Sequence, residues 1–338
     1  MEHRNGEIRE VTLLQSIGIF LVVFGHSYVE INQHRSDAVL SFFYWLHNFI
    51  YSFHMPLFMF ISGLLFAHKY YQQNGLDYGK YILARFKRLI IPYVVLSSLT
   101  FPIKAVLNKY AVDPVNLNFI SYIKSLIYPY SNPIFFYWFL PTLFAISLFA
   151  PFLLNLARGR NKPFILTIIT LLLVILNVYN PFHTVLFNIK GIAAYLIYFW
   201  GGCVFYIMKD RLEGALRNIP LAAGLFVLLI GINCAGYSNT KINIIPAFLG
   251  IFAVLCVTYR FLDSGLKVFK PINGNAYQIY LLSWFPQIFV KIALYNILHL
   301  GFYVSFVFML LGGIIFPLAA KEWIRKSMPR LNILIGLR

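Results

Sequence analysis

Ten long apolar stretches dominate this sequence and leave few ways for it to fold. They run over 11–29, 42–68, 81–107, 134–157, 163–179, 188–208, 219–236, 243–262, 274–298 and 302–325. A helix needs about 20 apolar residues to cross the hydrocarbon core of a bilayer. The chain therefore reads as an all-α, polytopic membrane protein with about ten transmembrane helices. Charged residues make up 12% of it, about half the share of a soluble domain. No polar stretch approaches the roughly 100 residues of a separate soluble domain. Residues 119–128 are too few to span and read as an interfacial helix. No small-residue cleavage site follows the first apolar run, so it reads as a span and not as a signal peptide.

Charge sets the expected orientation. With the N-terminus in the cytoplasm, the 28 Lys and Arg residues divide into 21 in inside loops and 7 in outside ones, as the positive-inside rule requires. An even number of spans returns the C-terminus to the cytoplasm as well. The net charge of +17 is thus a topology signal spread over short loops, and nucleic acid is not expected as a partner. The lipid bilayer is.

Pro56, Pro92, Pro102, Pro141, Pro246, Pro286 and Pro317 lie within apolar runs and are expected to kink helices whose neighbours satisfy the freed carbonyls. Cys203, Cys234 and Cys256 fit no metal or redox spacing and read as small buried apolar residues. No short repeat and no inverted pair of broken helices is visible.

Ionisable groups inside spans are costly and mark candidate sites. None of the 11 acidic residues falls deep in an expected span. That counts against a carboxylate proton relay, paired-carboxylate glycoside chemistry and an acid-rich metal site. His26 follows Gly25 in the outer part of the first span. It reads either as a packed histidine bonded to a neighbour or as a catalytic one, with Gly25 allowing close approach and Ser27 at hand as a supporting partner. His54 lies mid-way along the second span, seven residues after His47. On one continuous helix the two share a face, but without a carboxylate or thiol nearby no metal is expected. Arg85 and Arg88, three apart before Pro92, are a topology signal and can also grip phosphate, since guanidinium groups bind phosphate oxygens in pairs. Tyr137, Trp138, Tyr277, Tyr280 and Trp284 are either interfacial anchors or the lining of a sugar cleft.

In this order the residues resemble acyltransferase family 3, and within it the fucose 4-O-acetylase-like branch. The matching blocks are Gly18-Ile19-Phe20-Leu21-Val22-Val23-Phe24-Gly25-His26-Ser27, then Phe53-His54-Met55-Pro56-Leu57-Phe58-Met59-Phe60-Ile61-Ser62-Gly63, then Arg85-Phe86-Lys87-Arg88-Leu89-Ile90-Ile91-Pro92. Trp138-Phe139-Leu140 and Ile279-Tyr280-Leu281-Leu282 are weaker matches. The likeness runs the length of the chain, so residues 1–338 are expected to form one transmembrane acyltransferase domain, with no fused esterase-like domain following. There are departures. Gln15 stands eleven residues before His26, where the family usually has Arg or Lys, and Arg9 is the nearest cation that can stand in for it. Thr12 and Ser283 also replace family residues.

The resemblance implies an O-acyltransferase of the bacterial plasma membrane that takes an acyl group from acyl-CoA, most often acetyl-CoA, and passes it to a glycan or lipid-linked sugar, without a metal. It implies His26 as the catalytic residue, acting as general base or carrying the acyl group briefly, a role suited to a side chain that titrates near neutrality. Arg85 and Arg88 then hold the CoA phosphates, and His54, Ser62, Trp138 and Tyr280 line the substrate path. The alternative from another class is a transporter or flippase for such sugars. The missing inverted repeat and missing intramembrane carboxylates count against it.

Overall fold

The computed structural model describes residues 9–29, 38–73, 76–110, 114–157, 161–236, 243–262 and 267–337. The charged residues Glu2, Arg4, Glu7, Glu30, Arg35, Asp37, Asp113, Arg158, Arg160, Lys241, Asp263 and Arg338, and the side chain of Arg9, lie outside that description. All regular structure among the described residues is helical. Six stretches are long and apolar enough to cross a membrane: Glu10–Tyr28, Ser41–Gln72, Tyr78–Val106, Phe135–Leu156, Leu186–Leu216 and Phe302–Ser327. Three shorter apolar helices, Lys162–Val178, Ile219–Cys234 and Ile244–Arg260, lie between them. The chain is an all-α, multi-pass membrane protein.

The helices are α1 (Arg9–Val29), α2 (Ala38–Tyr51), α3 (His54–Gln72), α4 (Tyr78–Arg85), α5 (Ile91–Val106), α6 (Phe119–Ile127), α7 (Phe139–Leu156), α8 (Lys162–Val178), α9 (Ile189–Leu216), α10 (Ile219–Cys234), α11 (Ile244–Arg260), α12 (Ala276–Leu282), α13 (Trp284–Val290) and α14 (Phe302–Ser327). One expected span is broken and a second loses a helical hydrogen bond, each just ahead of a proline. Within 42–68, α2 ends and α3 begins around Phe53, at φ −138° and ψ −18°, three residues before Pro56. Within 274–298, Ser283 joins α12 to α13 three residues before Pro286, with its backbone still helical at φ −63° and ψ −29°. A proline ring has no N–H for the carbonyl four residues back and crowds it, so each helix is weakened in the preceding turn. In consequence His47 and His54 sit on different helices and not on one helical face.

Inside the third span a π-turn over Phe86–Ile90 joins α4 to α5, just ahead of Pro92. The start of α4 is fixed by Asp77, whose Oδ1 accepts from the Lys80 backbone N–H at 3.0 Å. That hydrogen bond holds its carboxyl below the usual range. Cys203 and Cys256 are buried as expected, whereas Cys234 is exposed.

α3 and α9 run side by side in the same direction at very close range. A Cβ added to Gly63 would lie 1.8 Å from the Phe199 carbonyl oxygen, and one added to Gly202 would lie 1.9 Å from that of Phe60. Small residues let membrane helices approach to backbone contact, and the Cys203 thiol donates to the Gly63 carbonyl at 3.3 Å across the same seam. Because the obstacle is backbone, it cannot swing away as a side chain would. Gly63→Ala is expected to cost roughly 3 kcal/mol, at the upper end for overpacking. A fall in the thermal midpoint of the detergent-solubilised protein would show it.

Cations assigned to the inside loops gather at one end of the bundle. Lys209 approaches Glu10 at 3.9 Å, Lys162 lies over the Tyr71 ring at 5.4 Å, and the Tyr71 and Tyr206 rings stack at 5.9 Å. The C-terminal ends of α3 and α9 and the N-terminal end of α1 therefore share this face.

Candidate functional site

A cavity of about 370 Å³ opens at that basic end, bounded by α1, α3, α4, α7 and α12. Arg85 and Arg88 both line it, as do Ser62, Tyr280 and Gln15. Lys69, one turn before the end of α3, lines it as well. Among the described residues three cations and no carboxylate line this space, so its field favours an anion. In the sequence Lys69 read only as a loop charge; the signal that separates it from other loop charges is its spacing of seven residues from Ser62, which puts both on one face of α3.

Arg88 is held by an aromatic partner from a distant part of the chain. Pro92 cannot donate to the Arg88 carbonyl four residues earlier. The Tyr277 hydroxyl donates to that carbonyl instead, and the Arg88 guanidinium lies over the same ring at 5.0 Å. Arg85 sits over Tyr81 at 5.3 Å. Tyr277→Phe keeps the ring and removes the hydroxyl, and is expected to cost about 1 kcal/mol, the net worth of one hydrogen bond. An unchanged thermal midpoint would mean that the π-turn does not need this hydroxyl.

Tyr280 lines the cavity on the side towards His26. It belongs to a reciprocal pair: its hydroxyl donates to the Phe136 carbonyl at 2.6 Å, while the Tyr137 hydroxyl donates to the Leu281 carbonyl. These bonds clamp the single 3₁₀ turn Phe135–Trp138 against α12. The clamp sets the Phe136 ring 5.6 Å from Tyr280 and 4.6 Å from the His26 imidazole. Tyr137, Trp138, Tyr280 and Trp284 are all buried, so they pack inside the bundle and do not anchor it at an interface.

His26 is buried too, only 6% exposed. Its Nδ1 lies 3.3 Å from the Tyr51 hydroxyl, at the last residue of α2. Gly25 makes this possible, since a Cβ there would stand 2.9 Å from the Tyr51 ring. The Tyr51 ring also stacks on His47 at 3.7 Å and contacts His54 at 4.4 Å. The break before Pro56 is therefore what brings three histidines around one tyrosine. His54 itself is buried, with Nδ1 3.0 Å from the Ile50 carbonyl; it stands beside Tyr51 and does not line the basic cavity. Ser27 does not reach His26. Its hydroxyl donates to the Val23 carbonyl at 2.8 Å and accepts from the Gln287 amide at 2.9 Å, tying the outer turn of α1 to α13. Trp138 packs against Tyr195 at 4.9 Å, its ring tilted by 37°, and does not line the basic cavity. Among the described residues no group of three His, Cys, Asp or Glu side chains is placed to hold a metal ion.

The site thus has two parts on one helix. Gln15 and His26 are eleven residues apart on α1, or about 16 Å, with Tyr280 and Phe136 between the two levels. Tyr51, Phe136 and Gln287 escaped the sequence reading because each meets its partner across a large sequence separation. None of the curated proteins and none of the solved structures compared with the chain matches it. A family model described as an acyltransferase domain does match, over residues 8–319. That span takes in α1 with His26, the α2–α3 break, the basic cavity and α12. The chain belongs to acyltransferase family 3 and is a membrane acyltransferase.

Proposed function

We propose that the protein takes an acyl group from acyl-CoA, acetyl-CoA in the first place, and transfers it to a hydroxyl of a cell-surface glycan or lipid-linked sugar in a bacterial plasma membrane. The observation that carries this reading is the cavity with Lys69, Arg85 and Arg88 on its walls and no carboxylate among its lining residues. Charge-assisted bonds from guanidinium to phosphate are about twice as strong as neutral ones, so the nucleotide phosphates seat at this end. The acyl arm then extends past Ser62 and Tyr280 and beside the Phe136 ring to the level of His26. Gln15 offers it hydrogen bonds but no charge.

At His26 the chemistry needs one base. With the Nδ1 proton donated to the Tyr51 hydroxyl, Nε2 is left with a free lone pair. It takes the proton from the acceptor hydroxyl as that oxygen attacks the thioester carbonyl. The carbon–sulfur bond breaks, and the imidazolium returns the proton to the departing thiolate. The products are the O-acyl ester and free CoA. The family affords no support for the transporter reading.

The test uses protein in nanodiscs with radiolabelled acetyl-CoA, with and without a crude surface-glycan extract. Glycan-dependent CoA release and label transfer are the expected result. Neither binding nor turnover with acetyl-CoA or succinyl-CoA would overturn the reading.

A further inference from the structure

The chain beyond α14 returns to the basic cavity. Met328, at φ −137° and ψ 59°, ends the helix. Pro329 then opens a 3₁₀ helix over Pro329–Ile335 that packs against α5 and α14. Ile335 is buried, and Leu337 packs against the same core. The segment lies outside the stretch that carries the family likeness, so that likeness gives it no role. Gly336 closes it in the left-handed conformation, at φ 68°. The Gly336 N–H donates to the Ile333 carbonyl at 3.2 Å and the Leu337 N–H to the Asn332 carbonyl at 2.9 Å, the two bonds of a Schellman cap. Glycine adopts this φ without steric cost. A second demand falls on the same residue: a Cβ there would stand 2.1 Å from Cε1 of Tyr277 and 2.7 Å from its Cδ1. The next residue of α12 makes contact as well, since the Gln278 amide donates to the Ile335 carbonyl at 3.3 Å. Two consecutive residues of α12 thus meet two consecutive residues of the segment.

Tyr277 is also the residue whose hydroxyl donates to the Arg88 carbonyl and whose ring carries the Arg88 guanidinium. A line of contact therefore runs from Gly336 through one ring to Arg88, on the wall of the basic cavity. A methyl group at 336 must displace that ring, and the ring cannot move without disturbing its bond to the Arg88 carbonyl or the guanidinium above it. We propose that residues 329–337 form a strap that positions Arg88 for the anion held in this cavity, with Gly336 and Gln278 as positioning residues. The anion rests on the acyl-donor reading, whereas the hold on Arg88 rests on these contacts alone.

Two readouts test the two halves separately. The first needs no ligand. Phenylglyoxal modifies guanidinium groups, and mass spectrometry of the nanodisc-embedded protein gives the rate at Arg88, with Arg85 as internal standard. Gly336→Ala should raise that ratio roughly threefold, the worth of an exposed cation–π contact. The second is the acetyl-CoA KM in the turnover assay. Gly336→Ala should raise it about fivefold, short of the loss of Arg88 itself, with kcat nearly unchanged. In an Arg88→Ala background the same change should add nothing to the KM, whereas a merely structural cost would appear in both backgrounds. Gln278→Leu removes the bond to the Ile335 carbonyl and leaves the Schellman glycine in place. It should move both readouts in the same direction, and it serves if Gly336→Ala fails to insert. An unchanged Arg88 rate and KM in both variants overturn the proposal, as does an equal rise in KM with and without Arg88. If Arg88→Ala raises the KM and Gly336→Ala does not, the strap fails alone. A raised Arg88 rate beside a KM indifferent to Arg88→Ala would sink the donor reading and leave the strap's hold on Arg88.

Discussion

His26→Gln is expected to fold normally and to lose acyl transfer by roughly 10²–10⁴-fold, the usual worth of a positioned general base. Glutamine is the informative substitution. His26 is buried against Phe136, Phe135 and Tyr51, so His26→Ala removes a packed ring, and large-to-small changes in a core cost about 2–5 kcal/mol. A dead alanine variant would leave folding and chemistry confounded. Glutamine keeps most of the volume and can still bond to Tyr51, but cannot take a proton at neutral pH. Thermal midpoint and affinity for acetyl-CoA should stay near wild type while turnover collapses. Tyr51→Phe keeps the ring against Gly25 and loses only the hydroxyl, so its loss should be smaller, about tenfold. In the His26→Gln background the same change should do nothing more, because residues acting as a unit are non-additive. A His26→Gln protein with more than a tenth of wild-type turnover would remove His26 from the catalytic role.

The six long apolar helices were legible because lipid imposes a length and an apolar composition on every segment that crosses it, and both are local properties of the chain. Prolines announced kinks but not how far each helix yields, and this decided the site. The break before Pro56 turned the His47 and His54 pair into two histidines around Tyr51, an arrangement no helical periodicity contains. Gly25 and Gly63 looked alike in sequence as small residues in a span. In the structure one admits the Tyr51 ring and the other the backbone of α9.

The candidate site was legible residue by residue and not as an arrangement. Arg85, Arg88, Ser62 and Tyr280 do share a cavity. Trp138 and His54 lie elsewhere, because the 3₁₀ turn and the α2–α3 break direct them towards the opposite end. Lys69 could not be told from a topology charge until α3 was seen to carry it to the same wall as Arg85.

The largest effect on acyl-donor binding should come from the double variant Arg85→Ala, Arg88→Ala. A hydrogen bond to a charged group contributes about 1.5–3 kcal/mol, or roughly 10–100-fold for each arginine, so the acetyl-CoA KM should rise by about 10²–10⁴-fold while kcat falls much less. That split is the signature of lost ground-state binding. Arg88→Lys tests the geometry, since it keeps the charge but loses the planar fork and its stacking over Tyr277; its KM should lie between wild type and Arg88→Ala. Added salt should narrow the gap between wild type and the double variant, because a cavity open to solvent is partly screened. Insertion should survive, as Lys69, Lys80 and Lys87 keep this loop basic. Lys87 supplies the control. It lies between the two arginines in sequence but is exposed and does not line the cavity, so Lys87→Ala should leave the KM where it was. If the double variant stayed within threefold of wild type, or if Lys87→Ala raised the KM as much as Arg88→Ala, these arginines would mark only topology and the phosphates would have to be held elsewhere.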